Sequence, residues 1–207
     1  MDAASQPAAR DAAARTGLDR LEQANLQARW QVGLLGGLCL TGGAQRLTRL
    51  PSRAVTALLA RLALAPERAH PRKELIELLW PGVALGIGRN RLCQALSSLK
   101  SILEPAGRVA PQPVLVADRS HVRVVHGTLA CDALLFERHA RSGQVAAARS
   151  LYRGELLPGF YDEWIDEERL RLTAVHDRLR PLQRQVHGDD HAFGSGRSPW
   201  IAPANLR

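Results

Sequence analysis

The 207-residue sequence is poor in aromatic side chains, poor in cysteine and free of long apolar runs, and each shortage excludes a class of protein. Aromatics make up 4% of the chain, and Trp30, Trp80, Trp164 and Trp200 are scattered along it. Single-strand and RNA platforms stack bases on clustered exposed rings, so the scatter argues against that mode of binding. Cys39, Cys93 and Cys131 lie far apart, are odd in number and show no Cys-x-x-Cys spacing. They read as small apolar residues of a reducing compartment, not as a disulfide framework or metal ligands. No stretch reaches the ~20 consecutive apolar residues of a membrane span. The polar, Ala-rich start, with Asp2 near its head, lacks the features of a signal peptide. A cytoplasmic protein without a membrane partner is expected.

The most informative shortage is local: no Asp or Glu occurs between Gly88 and Leu103. Leu92, Leu96, Leu99 and Leu103 recur there at i, i+4, i+7 and i+11, the spacing of one buried helix face. The opposite face carries Asn90, Gln94, Ser97 and Ser101, with Arg91 and Ser98 beside them and Arg89 at the start. A surface helix that happens to lack acids is one account of this pattern. A DNA-reading helix is the other, because Asn and Gln pair with adenine edges, Arg with guanine or phosphate, and Ser with either.

Charge distribution separates the two accounts. The net charge is +8, and all of it lies in residues 30–126, which hold 13 basic against five acidic side chains. The segments before and after are each balanced. Phosphate binding, which releases counterions, calls for such a confined surplus. Other candidate chemistries are weaker. The sequence His187-Gly-Asp-Asp-His191 stands alone in a Gly-, Ser- and Pro-rich stretch and reads as incidental, so no metal site is expected. The glycines at 33–43 lack Gly-Lys-Ser/Thr and read as turns, not a phosphate loop. Ser97, Ser98 and Ser101 have no credible His and Asp partners, and neither an enzyme nor a cofactor is expected.

Along the chain, residues 1–29 hold few apolar points and read as a mobile leader, too short for a receiver domain. Short antiparallel strands follow from Trp30 to about Leu50, joined by the turn at Thr41-Gly-Gly-Ala44. Ser52 is placed to cap a first helix. Pro71 opens a second, which ends at Pro81-Gly82 with Trp80 expected beneath the third helix near Leu92 and Leu96. Residues 83–88 are the expected connection to that third helix. Val114-Leu-Val-Ala117 and His121-Val-Arg-Val-Val125 flank Asp118-Arg-Ser120 as a hairpin. Past Gly127 the pattern turns helical, with Asp132 expected as a cap, Ala146, Ala147 and Ala148 as a close helix approach, and a long amphipathic helix from Tyr161 to about Val186. The faces of Phe136, Leu151, Tyr152, Trp164 and Leu170 are expected to pack together, and residues 187–207 to be disordered.

Strands, three helices and a hairpin in that order predict an α+β protein with a winged helix-turn-helix at residues 30–126 and an all-α part at 127–186. In that frame Asn90, Arg91, Gln94, Ser97 and Ser98 are the candidates for base readout. Arg89, Lys100, Ser101, Arg119 and Arg123 are the candidates for phosphates, with His121 near them.

The region from about Trp30 to Gln185 resembles the antibiotic-regulatory-protein (SARP) type of transcriptional activator. Ala57-Leu-Leu-Ala-Arg-Leu-Ala-Leu64, Arg72-Lys-Glu-Leu-Ile-Glu-Leu-Leu-Trp80 and Arg89-Asn-Arg-Leu-Cys-Gln-Ala-Leu-Ser-Ser-Leu-Lys100 are similar to the three helices of its OmpR-like DNA-binding domain. Cys131-Asp-Ala-Leu-Leu-Phe-Glu137, Leu151-Tyr-Arg-Gly-Glu-Leu-Leu-Pro-Gly159 and Trp164-Ile-Asp-Glu-Glu-Arg-Leu170 are similar to parts of its bacterial transcriptional activator domain (BTAD), a tetratricopeptide-like helical domain present here only in part. The resemblance implies sequence-specific binding to double-stranded DNA, usually at direct repeats near promoters, with RNA polymerase as a partner; a homodimer on DNA is a separate expectation. A protein-interaction module whose winged fold has lost DNA binding is the competing expectation.

Overall fold

The computed structural model describes residues 28–105 and 112–186. Nearly all of the expected leader and the whole expected tail, with its His187–His191 cluster, lie outside them. Within them the chain is a mixed α+β fold with two small sheets and six helices.

The first sheet has the order β3-β2-β1-β7. Trp30–Gly33 (β1), Cys39–Gly42 (β2) and Gln45–Leu47 (β3) form an antiparallel meander, with Gln31 opposite Thr41 and Leu40 opposite Leu47. The indole of Trp30 lies against Gly42, where a Cβ would come within 2.3 Å of its ring. The helix Arg53–Leu64 (α1) follows, its N-terminus capped by Ser52 Oγ, which accepts from the Val55 N–H at 3.2 Å. His70–Pro71 (β4) leads directly into Arg72–Leu79 (α2). Glu74 on α2 accepts from Arg61 at 3.2 Å and from Arg68 at 2.7 Å, which ties α2 to α1. Burial opposes its ionisation, but the Arg68 and Arg61 guanidiniums hold the Glu74 carboxyl below its usual range.

The long helix Leu85–Leu103 (α3) buries Gly88, Leu92, Ala95, Leu96, Leu99 and Leu103. Its C-terminal end is fastened from two sides. Trp30 Nε1 donates to the Leu103 carbonyl at 3.0 Å, and Glu104 Oε1 accepts from the Val114 and Leu115 amides at 2.6 and 2.9 Å. The first bond occupies a carbonyl that a helix terminus otherwise leaves unpaired, and the other two tie the end of α3 to the start of the next strand. Leu115–Ala117 (β5) and His121–Val124 (β6) then form a hairpin, and β4 pairs with β6 to complete a second sheet of order β4-β6-β5. Val122 and Val124 point inward while His121 and Arg123 point out.

Several expectations change here. The third helix starts at Leu85, so residues 85–88 are helical and not a connector. The Gly88 N–H donates to the Ala84 carbonyl at 3.0 Å to close this first turn, and the missing Cβ of Gly88 lets the turn lie against Ile76 of α2. Trp80 is half-buried at the end of α2, where it lines a surface hollow with Pro81, Gly82, Val83 and Leu85. It packs against the core as a partly buried ring. Residues 129–131, expected to begin a helical region, are a strand (β7) running parallel to β1, with Val32 opposite Cys131.

Asp132 is not a side-chain cap. Cys131 occupies the N-cap of Asp132–Arg141 (α4), and the Asp132 carboxylate reaches across to accept from the Leu34 and Leu35 amides at 2.8 and 3.1 Å. It is almost wholly buried, and burial pushes its carboxyl up to about 7 against the lowering effect of those N–H donors.

Val145–Leu151 (α5) and Glu163–Val186 (α6) complete the fold. Phe136, Tyr152 and His176 pack ring on ring, with centroids 5.3 and 4.1 Å apart. The buried stripe of α6 is Trp164, Ile165, Leu172 and Leu179. Leu170, expected to join that packing, is 72% exposed, since two residues turn it roughly 200° away from Leu172. The loop between α5 and α6 returns to the segment that follows β1. Leu157 N donates to the Leu34 carbonyl at 2.9 Å, and Gly36 N to the Glu155 carbonyl at 2.9 Å. Arg169 pins this loop by donating to the carbonyls of Leu156, Leu157 and Phe160. One apolar core therefore runs from Trp30 to Leu179.

Candidate nucleic-acid interface

The candidate face is built on α3. Because α3 buries Leu92, Leu96, Leu99 and Leu103, its other side must face solvent, and Asn90, Arg91, Gln94, Ser97 and Ser101 are all exposed there. Ser98 is half-buried at the edge of the strip. The Ser101 hydroxyl donates to the Ser97 carbonyl at 3.0 Å, which leaves its lone pairs as acceptors.

Beside this strip lies a cleft of about 750 Å³ between the start of α2, the first half of α3 and the β5–β6 hairpin. Arg72, Lys73, Arg89, Arg119 and His121 line it. Its one acid, Asp118, is used inside the hairpin turn. The carboxylate accepts from Ser120 N, His121 N and Ser120 Oγ at 2.7, 2.8 and 3.0 Å, and these donors hold its carboxyl at about 2. Asp118 thus stays ionised and rigidifies the turn that carries Arg119.

The structure brings Arg89 and Arg119, two of the expected phosphate residues, to the same cleft. Arg123 is exposed on β6 outside it, and Lys100 is half-buried far along α3. Arg89, Arg91, Lys100, Arg119 and Arg123 have no acidic partner among the described residues. By contrast, Arg61 and Arg68 are engaged by Glu74, and Arg53 lies over the Phe160 ring at 4.3 Å while donating to the Gly159 carbonyl.

Arg72 and Lys73 were not singled out from the sequence. Two cations in the first turn of a helix oppose the macrodipole, and that misplacement is the signal that marks them. Arg72 also joins the three walls of the cleft. Its Nη2 donates to Cys93 Sγ on α3 at 3.1 Å and its Nη1 to the Asp118 carbonyl in the hairpin at 3.4 Å. Lys73 lies 3.7 Å from Glu77 in an exposed i, i+4 pair that holds it weakly.

Among the described residues no group of His, Cys, Asp or Glu has the arrangement of a metal site, and no helix is long and apolar enough to cross a membrane. The exposed strip and the cleft instead offer donors, amide faces and cations on one side of one helix and one hairpin.

No family model and no curated protein matches the sequence. A solved structure described as Mycobacterium tuberculosis EmbR in complex with low affinity phosphopeptide is similar in fold, with a TM-score of 0.58 and 24% identity over 73% of this chain. The match spans 44% of that structure, so the chain covers less than half of its length.

Proposed function

We propose that the chain is a sequence-specific DNA-binding transcriptional regulator, most simply an activator of the SARP type. In this proposal residues 30–126 are an OmpR-like winged helix-turn-helix, with α3 as recognition helix and the β5–β6 hairpin as wing. Residues 127–186 are a partial tetratricopeptide-like activator domain.

The observation that carries the proposal is the acid-free polar face of α3 lying beside a basic cleft shared with the hairpin. Asn90, Arg91, Gln94, Ser97 and Ser98 read base edges in the major groove. Arg89, Arg119 and Arg123, with Arg72, Lys73, Lys100 and Ser101, contact phosphates along the flanks. The likeness in fold to EmbR supports the architecture. No catalytic role is assigned. The helical part is the surface for RNA polymerase or a second copy of the chain, and the cytoplasm is the site of action.

A mobility-shift series with a pool of randomised duplexes, repeated across salt concentrations, tests the proposal. Enrichment of one sequence together with a steep fall in affinity with salt is the expected result. Weak binding without enrichment favours the interaction-module alternative.

A further inference from the structure

The first turn of α3 carries the one feature of the candidate face that its polar chemistry does not explain. Ile87 is 54% exposed, one of four large apolar side chains that the described residues leave open to solvent. Isolated exposed apolar residues are ordinary, but the position of this one is specific. Ile87, Arg91, Gln94 and Ser98 stand at i, i+4, i+7 and i+11, with Asn90 at i+3, so Ile87 heads the polar strip. Leu85, 40% exposed, is different. It lines the basic cleft with Ile76, Arg89 and Cys93. Ile87 lines neither that cleft nor the hollow around Trp80 and has no place in the core.

We infer that Ile87 is a specificity-determining residue that packs against the C5-methyl group of a thymine in the major groove, next to the bases read by Asn90 and Arg91. This rests on the proposed DNA binding and deepens it. The major groove presents one apolar group, the thymine methyl, and an apolar side chain on a recognition surface is its natural partner. Isoleucine suits the task because its χ1 is stiff in a helix, so little rotamer freedom is lost on contact. A docked protein would want a wider apolar patch than one side chain ringed by Asn90, Arg91 and Gln94.

The test uses the full chain and the duplex that it enriches from a randomised pool. Each thymine of that duplex is replaced in turn by uracil, which removes the methyl group and leaves the base-pairing edge intact. One or two thymines are expected at which uracil weakens wild-type binding about fourfold, the worth of one buried carbon group. Ile87→Ala is expected to bind the thymine and uracil duplexes equally, while Leu85→Ala keeps the discrimination. Wild-type indifference to uracil at every position overturns the inference, as does discrimination that survives in Ile87→Ala. Because the uracil series is read on the wild-type protein, it does not depend on the variant folding. If no sequence is enriched at all, the proposed DNA binding itself fails, which is a distinct outcome.

Discussion

Replacing Gly88 by alanine should destabilise the protein, against the usual rule for a glycine inside a helix. In an open helical position alanine is preferred by about 1 kcal/mol, because glycine carries more backbone entropy in the unfolded chain. Gly86, in the same first turn of α3, has nothing within 4 Å of a Cβ, so Gly86→Ala should gain up to about 1 kcal/mol. At Gly88 the added Cβ would lie 2.3 Å from Ile76 Cγ2. Ile76 is β-branched, sits in α2 and is 3% exposed, so moving its methyl aside means leaving the strongly preferred helical rotamer within a packed core. Either α2 and α3 move apart or Ile76 is strained, and overpacking of this kind costs about 1–3 kcal/mol. The two alanine variants should therefore shift the urea midpoint in opposite directions. Ile76→Leu removes the γ2 methyl, and in the Gly88→Ala background it should recover most of the loss, a coupling that a double-mutant cycle measures. The same displacement would tilt α3 against the hairpin, so Gly88→Ala should also weaken the proposed DNA binding. A Gly88→Ala protein as stable as Gly86→Ala would refute the close approach of the two helices.

Gln94→Ala or Asn90→Ala should cost about 1–3 kcal/mol on the enriched duplex and little on random DNA, and equal losses on both would remove these side chains from base readout. Arg119→Ala and Arg72→Ala should weaken all sequences alike and lower the slope of log affinity against log salt by about one unit each, with unchanged slopes placing the cleft away from phosphate. Asp132 makes stability pH-dependent. Its carboxyl titrates near 7 in the folded chain against 3.8 ordinarily, so the folded state binds the extra proton between those values and its stability falls as pH rises through that window. Asp132→Asn lacks this titration. Relative to it, the wild type should lose on the order of 4 kcal/mol between pH 4 and 7 in chemical denaturation, and a flat difference would contradict the burial of a charge there.

Much of this molecule was legible in the chain because the relevant signals are local. The leucine spacing of residues 92–103 names the buried face of α3 and, by subtraction, the exposed one, since both follow from 3.6 residues per turn. Ser52 as a cap and Asp118-Arg-Ser120 as a hairpin turn depend only on near neighbours, and both are present. The confinement of the positive charge to residues 30–126 needs no structure at all.

Contacts between distant segments were not legible in this way. The three residues of β7 are too few to show a period, and their strand exists because β1, about 100 residues earlier, offers an edge to pair with. Asp132 carries the sequence mark of a cap, yet the packing of α4 on β1 turns its carboxylate toward the Leu34 and Leu35 amides. Leu170 differs from expectation and Trp80 is covered only in part because burial depends on which neighbour lies opposite, and hydropathy alone does not name that neighbour. The basic cleft is the clearest case. Arg72, Arg89 and Arg119 come from three separate elements, and only the docking of α2, α3 and the hairpin through Gly88, Ile76 and the Arg72 hydrogen bonds sets them around one space.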